Sequence, residues 1–119
     1  MEDGQMIECI DNYTDGFCLV IKTDKWQLAC ITYSESYGEL KEFKRHMTTD
    51  EAMVLVNGSA VLYTYENGEI IKIELKKNVV YNIKTATWHH LKVSKDALVI
   101  VAEDSNITAK DSERMKADA

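Results

Sequence analysis

The sequence contains no proline and only three histidines, and it has no run of basic residues. It also has no long apolar run: a transmembrane helix needs about 20 consecutive apolar residues, and no stretch approaches that length. The formal net charge is -6, and an acidic surface of this kind repels phosphate backbones. We therefore expect no membrane insertion and no binding to nucleic acid.

Cysteine is also scarce, with Cys9, Cys18 and Cys30 as the three examples. An odd number without a CxxC pair argues against a disulfide framework and against a structural zinc site. Cys30 lies in an apolar segment, where we expect it to pack as a small hydrophobic side chain. The first residues lack the charged-then-apolar layout of a signal peptide, so we expect a cytoplasmic protein.

Short apolar segments separated by turn residues fill most of the chain. The 119 residues suffice for one domain with its own core. The segments recur about every 8–12 residues, which is typical of an antiparallel sandwich or barrel. The predicted strands are residues 17–22, 26–33, 39–47, 51–56, 59–65, 69–75, 79–83, 88–93 and 97–102.

Turn chemistry and polarity divide the chain further. Asn57-Gly58 and Asn67-Gly68 suit type I′ hairpin turns, in which both central residues need positive φ. We expect residues 1–16 to be an N-terminal arm or edge strand, residues 17–104 the barrel and residues 105–119 a polar C-terminal tail. The tail composition fits a short helical turn, a strand-like arm across a partner or a frayed end.

The predicted strand at residues 39–47 has an unusual polar face. Because side chains alternate along a strand, Glu42, Lys44 and His46 share this face. A polar face on a central strand either contacts solvent or lines a polar pocket. Glu51 follows at the start of the next apolar run, so a histidine and an acid lie close in sequence.

The stretch around these residues resembles the first motif of the cupin family, G-x5-H-x-H-x3,4-E-x6-G. Gly38 takes the first position, His46 the second histidine, Glu51 the glutamate and Gly58 the last glycine. Lys44 stands where the family has its first histidine. The resemblance extends over roughly residues 17–104, and this motif is its more specific part.

A second stretch is similar to the other cupin motif, G-x5-P-x-G-x2-H-x3-N. Asn78 and Ala86 stand at its two glycine positions, Lys84 at the proline and Val93 at the asparagine. Only His89 matches the motif itself, so this motif is degenerate.

The resemblance implies an all-β fold, a small antiparallel jelly-roll β-barrel. It also implies a divalent metal, commonly Fe, Mn, Ni or Zn, of whose ligands His46, Glu51 and His89 remain in this chain. Two imidazoles and one carboxylate form the facial triad of non-haem iron sites. The Lys44 ammonium opposes a metal, since two cations a few ångströms apart repel by several kcal/mol at an effective dielectric near 20. In the other interpretation Lys44 takes the position of the metal and pairs with Glu51.

Three functions are compatible with these residues. The first is a metal-independent pocket in which Lys44, His46, Glu51 and His89 bind a sugar or an organic acid, as a sensor or as an isomerase-type enzyme. The second is a metal-dependent dioxygenase, isomerase or lyase using His46, Glu51 and His89. The third is a structural dimer module without chemistry. A homodimer is expected in all three cases, because edge strands of jelly rolls often pair across a two-fold axis.

The residues that flank the motif histidines are expected to have other roles. His90 follows His89 and therefore points to the opposite face, towards the surface or an interface. Arg45 is expected to form an ion pair at the surface or between subunits. Trp88 is expected to pack outside the barrel.

Overall fold

The computed structural model describes residues 6–107 and 109–117. Within these ranges the chain forms ten β-strands and two short 3-10 turns, at Glu35–Tyr37 and Ala109–Asp111. The strands are β1 (Phe17–Lys22), β2 (Trp26–Ile31), β3 (Glu42–His46), β4 (Glu51–Asn57), β5 (Ala60–Glu66), β6 (Glu69–Glu74), β7 (Val80–Ile83), β8 (Trp88–Val93), β9 (Leu98–Asp104) and β10 (Ser112–Lys116). In the part of the chain so described, no helix is long and apolar enough to cross a membrane.

The strands form two five-stranded sheets. Sheet A has the order β1-β2-β9-β4-β7 and sheet B the order β10-β3-β8-β5-β6, with antiparallel pairing between neighbouring strands. From β3 onwards every connection except β5–β6 passes from one sheet to the other. This alternation is the jelly-roll arrangement, so the all-β fold class predicted from the sequence is confirmed.

The core lies between the sheets and is apolar over most of its length. Its rows follow the strand register: Ala29, Val101 and Met53 lie opposite one another on β2, β9 and β4. The next row in the same direction is polar, with Gln27, Glu103 and Glu51 in equivalent positions. The buried cluster comprises Ala29, Ile31, Met53, Leu55, Ala60, Leu62, Leu75, Ile83, Leu91, Val93, Ala97, Val99 and Val101. The barrel interior therefore changes from apolar to polar at one end.

The two Asn-Gly pairs have different roles. At Asn67-Gly68 both residues have positive φ, 52° and 81°, and the flanking strands β5 and β6 pair, which confirms the predicted type I′ hairpin. At Asn57-Gly58 the prediction of a hairpin is wrong, because β4 and β5 belong to different sheets and only Gly58 has positive φ. This pair makes a crossing between the sheets, and the Asn57 side chain donates to the Asp96 carbonyl oxygen at 2.8 Å.

Two residues without the freedom of glycine adopt left-handed backbone conformations before β8. Asn78 and Ala86 both have φ of 67°, and they stand at the two glycine positions of the second motif described above. An L-residue other than Asn or Asp rarely adopts this conformation without cost. The chain therefore retains the backbone path of the motif although the glycines are absent, and this path leads directly to His89.

Replacing Ala86 with glycine is expected to raise the free energy of unfolding by about 0.5 kcal/mol. Relief of the left-handed strain at Ala86, about 1 kcal/mol, exceeds the entropy cost of a more flexible unfolded chain. Urea denaturation would measure the change. The matched control is Ala102→Gly on β9, where no positive φ exists and a loss of about 0.5–1 kcal/mol is expected. Destabilisation by both substitutions would contradict the strain at Ala86.

The C-terminal residues belong to the barrel rather than extending from it. Strand β10 pairs with β3 of the same chain, which places Ser112 opposite His46 and Arg114 opposite Lys44. This part of the tail therefore forms a strand preceded by a short turn, and the strand pairs within its own chain. The proposed division into arm, barrel and tail stays a prediction, and residues 1–5, 108, 118 and 119 lie outside the described residues.

Candidate functional site

Four polar residues of the two motifs line one cavity of about 1080 Å³ at the polar end of the barrel: Lys44, His46, Glu51 and His89. Lys44 and His46 lie on β3, Glu51 on β4 and His89 on β8. Lys44 and His89 are direct cross-strand partners. The two imidazoles and the ammonium thus come from sheet B, whereas the carboxylate comes from sheet A.

Glu51 lies between the two imidazoles, and each of its oxygens faces one of them. His89 Nε2 is 3.3 Å from Glu51 Oε2, and His46 Nε2 is 3.8 Å from Glu51 Oε1. The ring centroids of the two histidines are 6.0 Å apart. Glu51 and His89 are 7% and 9% exposed. The carboxylate is therefore held in a poorly hydrated space, where its interactions are stronger than in water.

The other nitrogen of each imidazole is engaged elsewhere. The His89 Nδ1–H donates to the carbonyl oxygen of Thr87 at 2.9 Å. The His46 Nδ1 lies 2.9 Å from Ser112 Oγ, supplied by β10. These contacts orient both rings so that Nε2 faces the cavity and Glu51. The same arrangement is typical of histidines that bind metals, since a hydrogen bond at one nitrogen directs the other.

The environments of the two histidines shift their pKa values in opposite directions. Burial opposes protonation of His89, but the hydrogen bond and charge of Glu51 outweigh it and raise the pKa of His89. Burial lowers the pKa of His46, and Glu51 only partly offsets this effect. Burial alone would raise the pKa of Glu51, yet the two imidazoles hold it below its ordinary value. Between the two imidazoles, the shifts therefore favour the proton at His89, next to the Glu51 carboxylate, over His46.

Three side chains of this site can hold a metal ion. One ligand atom each from His46, Glu51 and His89 lies within 4.8 Å of the others. Imidazole and carboxylate ligands suit Fe, Mn, Ni and Zn. The donor set and the oriented rings therefore fit a three-ligand metal site. Lys44 fits it less well, because its charge opposes protonation of both histidines and would likewise oppose a metal cation.

The predicted ion pair between Lys44 and Glu51 is wrong. Among the described residues Glu51 has imidazoles as its partners, and no carboxylate lies within 4 Å of the Lys44 ammonium. The reason lies in the register: Lys44 is two residues from His46 on β3, and β8 inserts His89 beside it. The two histidines contact Glu51 across the barrel, whereas Lys44 lies next to His89 and forms no ion pair with Glu51.

Sequence reasoning missed a second carboxyl group in the cavity. Glu103 lies directly opposite Glu51 on β9 and is 9% exposed. Gln27 Nε2 donates to Glu103 Oε2 at 2.6 Å. Burial and the neighbouring Glu51 raise the pKa of Glu103 to about 7. The Glu103 Oε1 accepts no hydrogen bond from the described residues. This is expected beside a second carboxyl group, because two carboxylates cannot hydrogen-bond to each other unless one of them is protonated.

Alternation along β9 could have revealed Glu103. Val99 and Val101 are fully buried, and Glu103 is the next residue on the same face. The sequence predicted that this strand ends at residue 102, so Glu103 was not assigned to its inward face. The strand continues to Asp104 because β2 supplies a pairing partner up to Asp104 and β4 up to Glu103. No sequence signal gives that pairing length.

The flanking residues lie apart from the cluster of Glu51 and the two histidines. His90 Nε2 is 2.9 Å from the Gly38 carbonyl oxygen, and its ring packs against Tyr63. Arg45 forms an ion pair with Glu113 of the same chain, and its guanidinium lies 4.2 Å from the centre of the Trp88 ring. Arg45 therefore has an intramolecular ion pair within sheet B.

The fold is similar to that of several solved structures. The capsular polysaccharide assembling protein CapF from Staphylococcus aureus matches 90% of this chain with a TM-score of 0.64 and 19% identity, and this chain covers 34% of CapF. Pac13 from Streptomyces, a nucleoside dehydratase, matches 89% of this chain and 82% of its own, with a TM-score of 0.62 and 14% identity. KdgF from Halomonas sp. matches 84% and 91%, with a TM-score of 0.61 and 20% identity.

These similarities concern the fold. The three proteins share the cupin-type jelly roll, and so does this chain, which spans only about a third of the length of CapF. At identities of 20% or below, activity is not carried across with the fold. No family model matches the chain, and no curated protein sequence matches it either.

Proposed function

We propose that this protein binds a small polar molecule, a sugar or an organic acid, in the barrel cavity and moves protons on it without an essential metal. The observation that carries this proposal is the placement of two imidazoles around Glu51, with pKa values shifted in opposite directions. Paired groups whose environments separate their pKa values are the usual basis of acid–base catalysis. An isomerase-type reaction is the class that needs one acid and one base.

The roles follow from the charge distribution. Neutral His46 accepts a proton from the bound molecule at Nε2, and protonated His89 donates one from Nε2. Glu51 stays ionised, stabilises the His89 imidazolium and orients that ring, whereas Ser112 orients the His46 ring. Its burial keeps water from competing for these contacts. Pac13 supports the proposal to the extent that a barrel of similar size is described as a dehydratase.

A metal-dependent enzyme is the second candidate. The observation in its favour is the convergence of three donor atoms from His46, Glu51 and His89 within 4.8 Å. A divalent ion held there would polarise a carbonyl or hydroxyl oxygen of the substrate. A purely structural module is less well supported, because an all-apolar interior would stabilise the barrel without the cost of burying Glu51 and His89.

Binding to protein treated with a chelator tests the proposal. We expect a panel of sugars and organic acids to contain compounds that raise the melting temperature of the metal-free protein, and elemental analysis would verify the absence of metal. His89→Gln should abolish this increase, because the acid of the pair is lost. Lys72→Gln is the control, since Lys72 is exposed on β6 and does not line the cavity. Binding that disappears on chelation and returns with Fe, Mn, Ni or Zn would instead establish the metal-dependent candidate.

We also propose that the protein is a cytoplasmic homodimer. Cys18 and Cys30 form no disulfide, as expected for a reducing compartment. The outer face of sheet A carries a cross-strand row of apolar side chains, and such a row favours burial against a second copy. The row consists of Ile100, Val54 and Val80, of which Val80 is exposed.

A further inference from the structure

Lys44 differs from Arg45 and Lys92, the other half-buried cations of sheet B in the part of the chain that the structure describes, in having no anionic partner. Arg45 pairs with Glu113, Lys92 with Glu39 at 3.2 Å, and Arg114 with Glu42 at 2.8 Å. Lys44 is half-buried and lines the cavity, yet no carboxylate lies within 4 Å of it among the described residues. A cation withdrawn from water without a counter-ion is costly, so this position is suited to an anion that the protein itself does not supply.

Three carboxylates that line the cavity with Lys44 have other partners. Glu42, two residues before it, is bound by Arg114. Glu51 faces the two imidazoles, and Glu103 accepts from Gln27. Lys44 is the direct cross-strand partner of His89 and lies two residues from His46 on β3. It therefore adjoins the two histidines, and none of these three carboxylates pairs with it.

Other charged residues line the cavity around Lys44. Lys41 and Lys116 are exposed cations of this lining. Its carboxyl groups are those of Glu35, Glu39, Glu42, Glu51 and Glu103. The lining is therefore not cationic as a whole, and its preference for an anion comes from Lys44, to which the described residues offer no counter-ion.

We propose that Lys44 binds an anionic group of the ligand, a carboxylate or a phosphate, and so restricts the cavity to negatively charged small molecules. The inference rests on the proposed small-molecule function of the same cavity and specifies its ligand class. Bound at Lys44, the anionic group of the ligand places the neighbouring atoms of the molecule next to His89, the cross-strand partner of Lys44. Lys44 is then a specificity-determining residue.

Titration with acetate and with inorganic phosphate tests this role without knowledge of the whole ligand. Both anions are expected to shift the imidazole Cε1–H NMR resonances of His46 and His89 in metal-free protein, and the tighter one identifies the preferred group. Lys44→Met should weaken binding about 10- to 100-fold, as expected for a lost charge-assisted hydrogen bond. Lys44→Arg should retain it. Lys72→Met removes the same charge from an exposed position on β6 and should have no effect.

The failures of this inference and of the proposed function are distinguishable. If neither anion shifts the two resonances, or if Lys44→Met binds both anions as the wild type does, the inference is overturned. Neutral sugars that raise the melting temperature of wild type and Lys44→Met equally would also overturn it and leave the proposed function intact. A protein that binds inorganic phosphate at Lys44, but whose melting temperature no sugar or organic acid raises, would support Lys44 as an anion site and refute the proposed function.

Discussion

Replacing Gly58 with alanine is expected to lower the free energy of unfolding by about 3 kcal/mol, which corresponds to about 10 °C in melting temperature. A Cβ at this position would lie 2.7 Å from the Ala97 Cα, 2.8 Å from the Ala97 nitrogen and 2.7 Å from Ser94 Oγ. Backbone atoms cannot move aside as the end of a flexible side chain can. The left-handed φ of 72° adds strain for any residue with a Cβ.

Gly58 approaches Ala97 where the crossing between β4 and β5 meets the loop between β8 and β9. The amide of Ser59 donates to Ser94 Oγ at 2.9 Å, and the Ser94 amide donates to the Ser59 carbonyl oxygen at 2.9 Å. These bonds join the crossing between the sheets to the loop between β8 and β9. An alanine at Gly58 would have to separate the two segments and weaken both bonds.

Gly68→Ala is the matched control for this prediction. Gly68 has a similar φ of 81°, but nothing lies within 4 Å of the position its Cβ would take. Only the conformational strain applies, and a loss of about 1 kcal/mol is expected. Thermal and urea unfolding of both variants would measure the difference. Equal losses at the two glycines would show that the contact with Ala97 does not limit stability.

Glu103→Gln is expected to reduce the loss of stability that the protein undergoes as pH rises through about 7. In the folded chain burial, and then the adjacent Glu51, raises the pKa of Glu103 to about 7 from an ordinary value of 4.5. The folded state therefore binds the proton more tightly than the unfolded state. The contribution is fully present below the ordinary pKa and is lost as pH rises through about 7. Glutamine has no such titration.

The effect is expected to be on the order of 1 kcal/mol between about pH 5 and pH 8, measured by urea denaturation of chelator-treated protein. His89 contributes in the same direction because its pKa is also raised, so the pH dependence should decrease rather than disappear. Glu51 has a lowered pKa and acts on acidification, outside this range. Glu66→Gln, exposed at the end of β5, should leave the pH dependence unchanged. An unchanged pH dependence in Glu103→Gln would refute a protonated Glu103.

The sequence contained enough information for the fold and for half of the polar site. Alternation and turn residues located nine strands, because each of these signals is local to one segment. His46 and Glu51 could be associated because they lie five residues apart, on strands that the chain connects directly. Assigning His89 to the same site depended on a resemblance to a motif, since only the fold brings β8 next to β3.

The missed features depend on which strands become neighbours. Gln27, Glu103 and Glu51 form one row only because β9 lies between β2 and β4, and their distance along the chain gives no sign of it. The hairpin predicted at Asn57-Gly58 was wrong for the same reason. An Asn-Gly pair favours a reversal of the chain but does not determine whether the next strand returns to the same sheet. Residue types predicted the structure correctly only where that structure depends on neighbours along the sequence.

Because the site is divided between the two sheets, ligand binding is thermodynamically coupled to folding. Glu51 belongs to sheet A and the two histidines to sheet B, so anything held between them cross-links the two halves of the barrel. Separation of the sheets must then release the bound molecule, so a ligand above its dissociation constant raises the free energy of unfolding. A substitution that destabilises the barrel far from the cavity, such as Gly58→Ala, should weaken apparent binding only under conditions in which the unfolded state is populated.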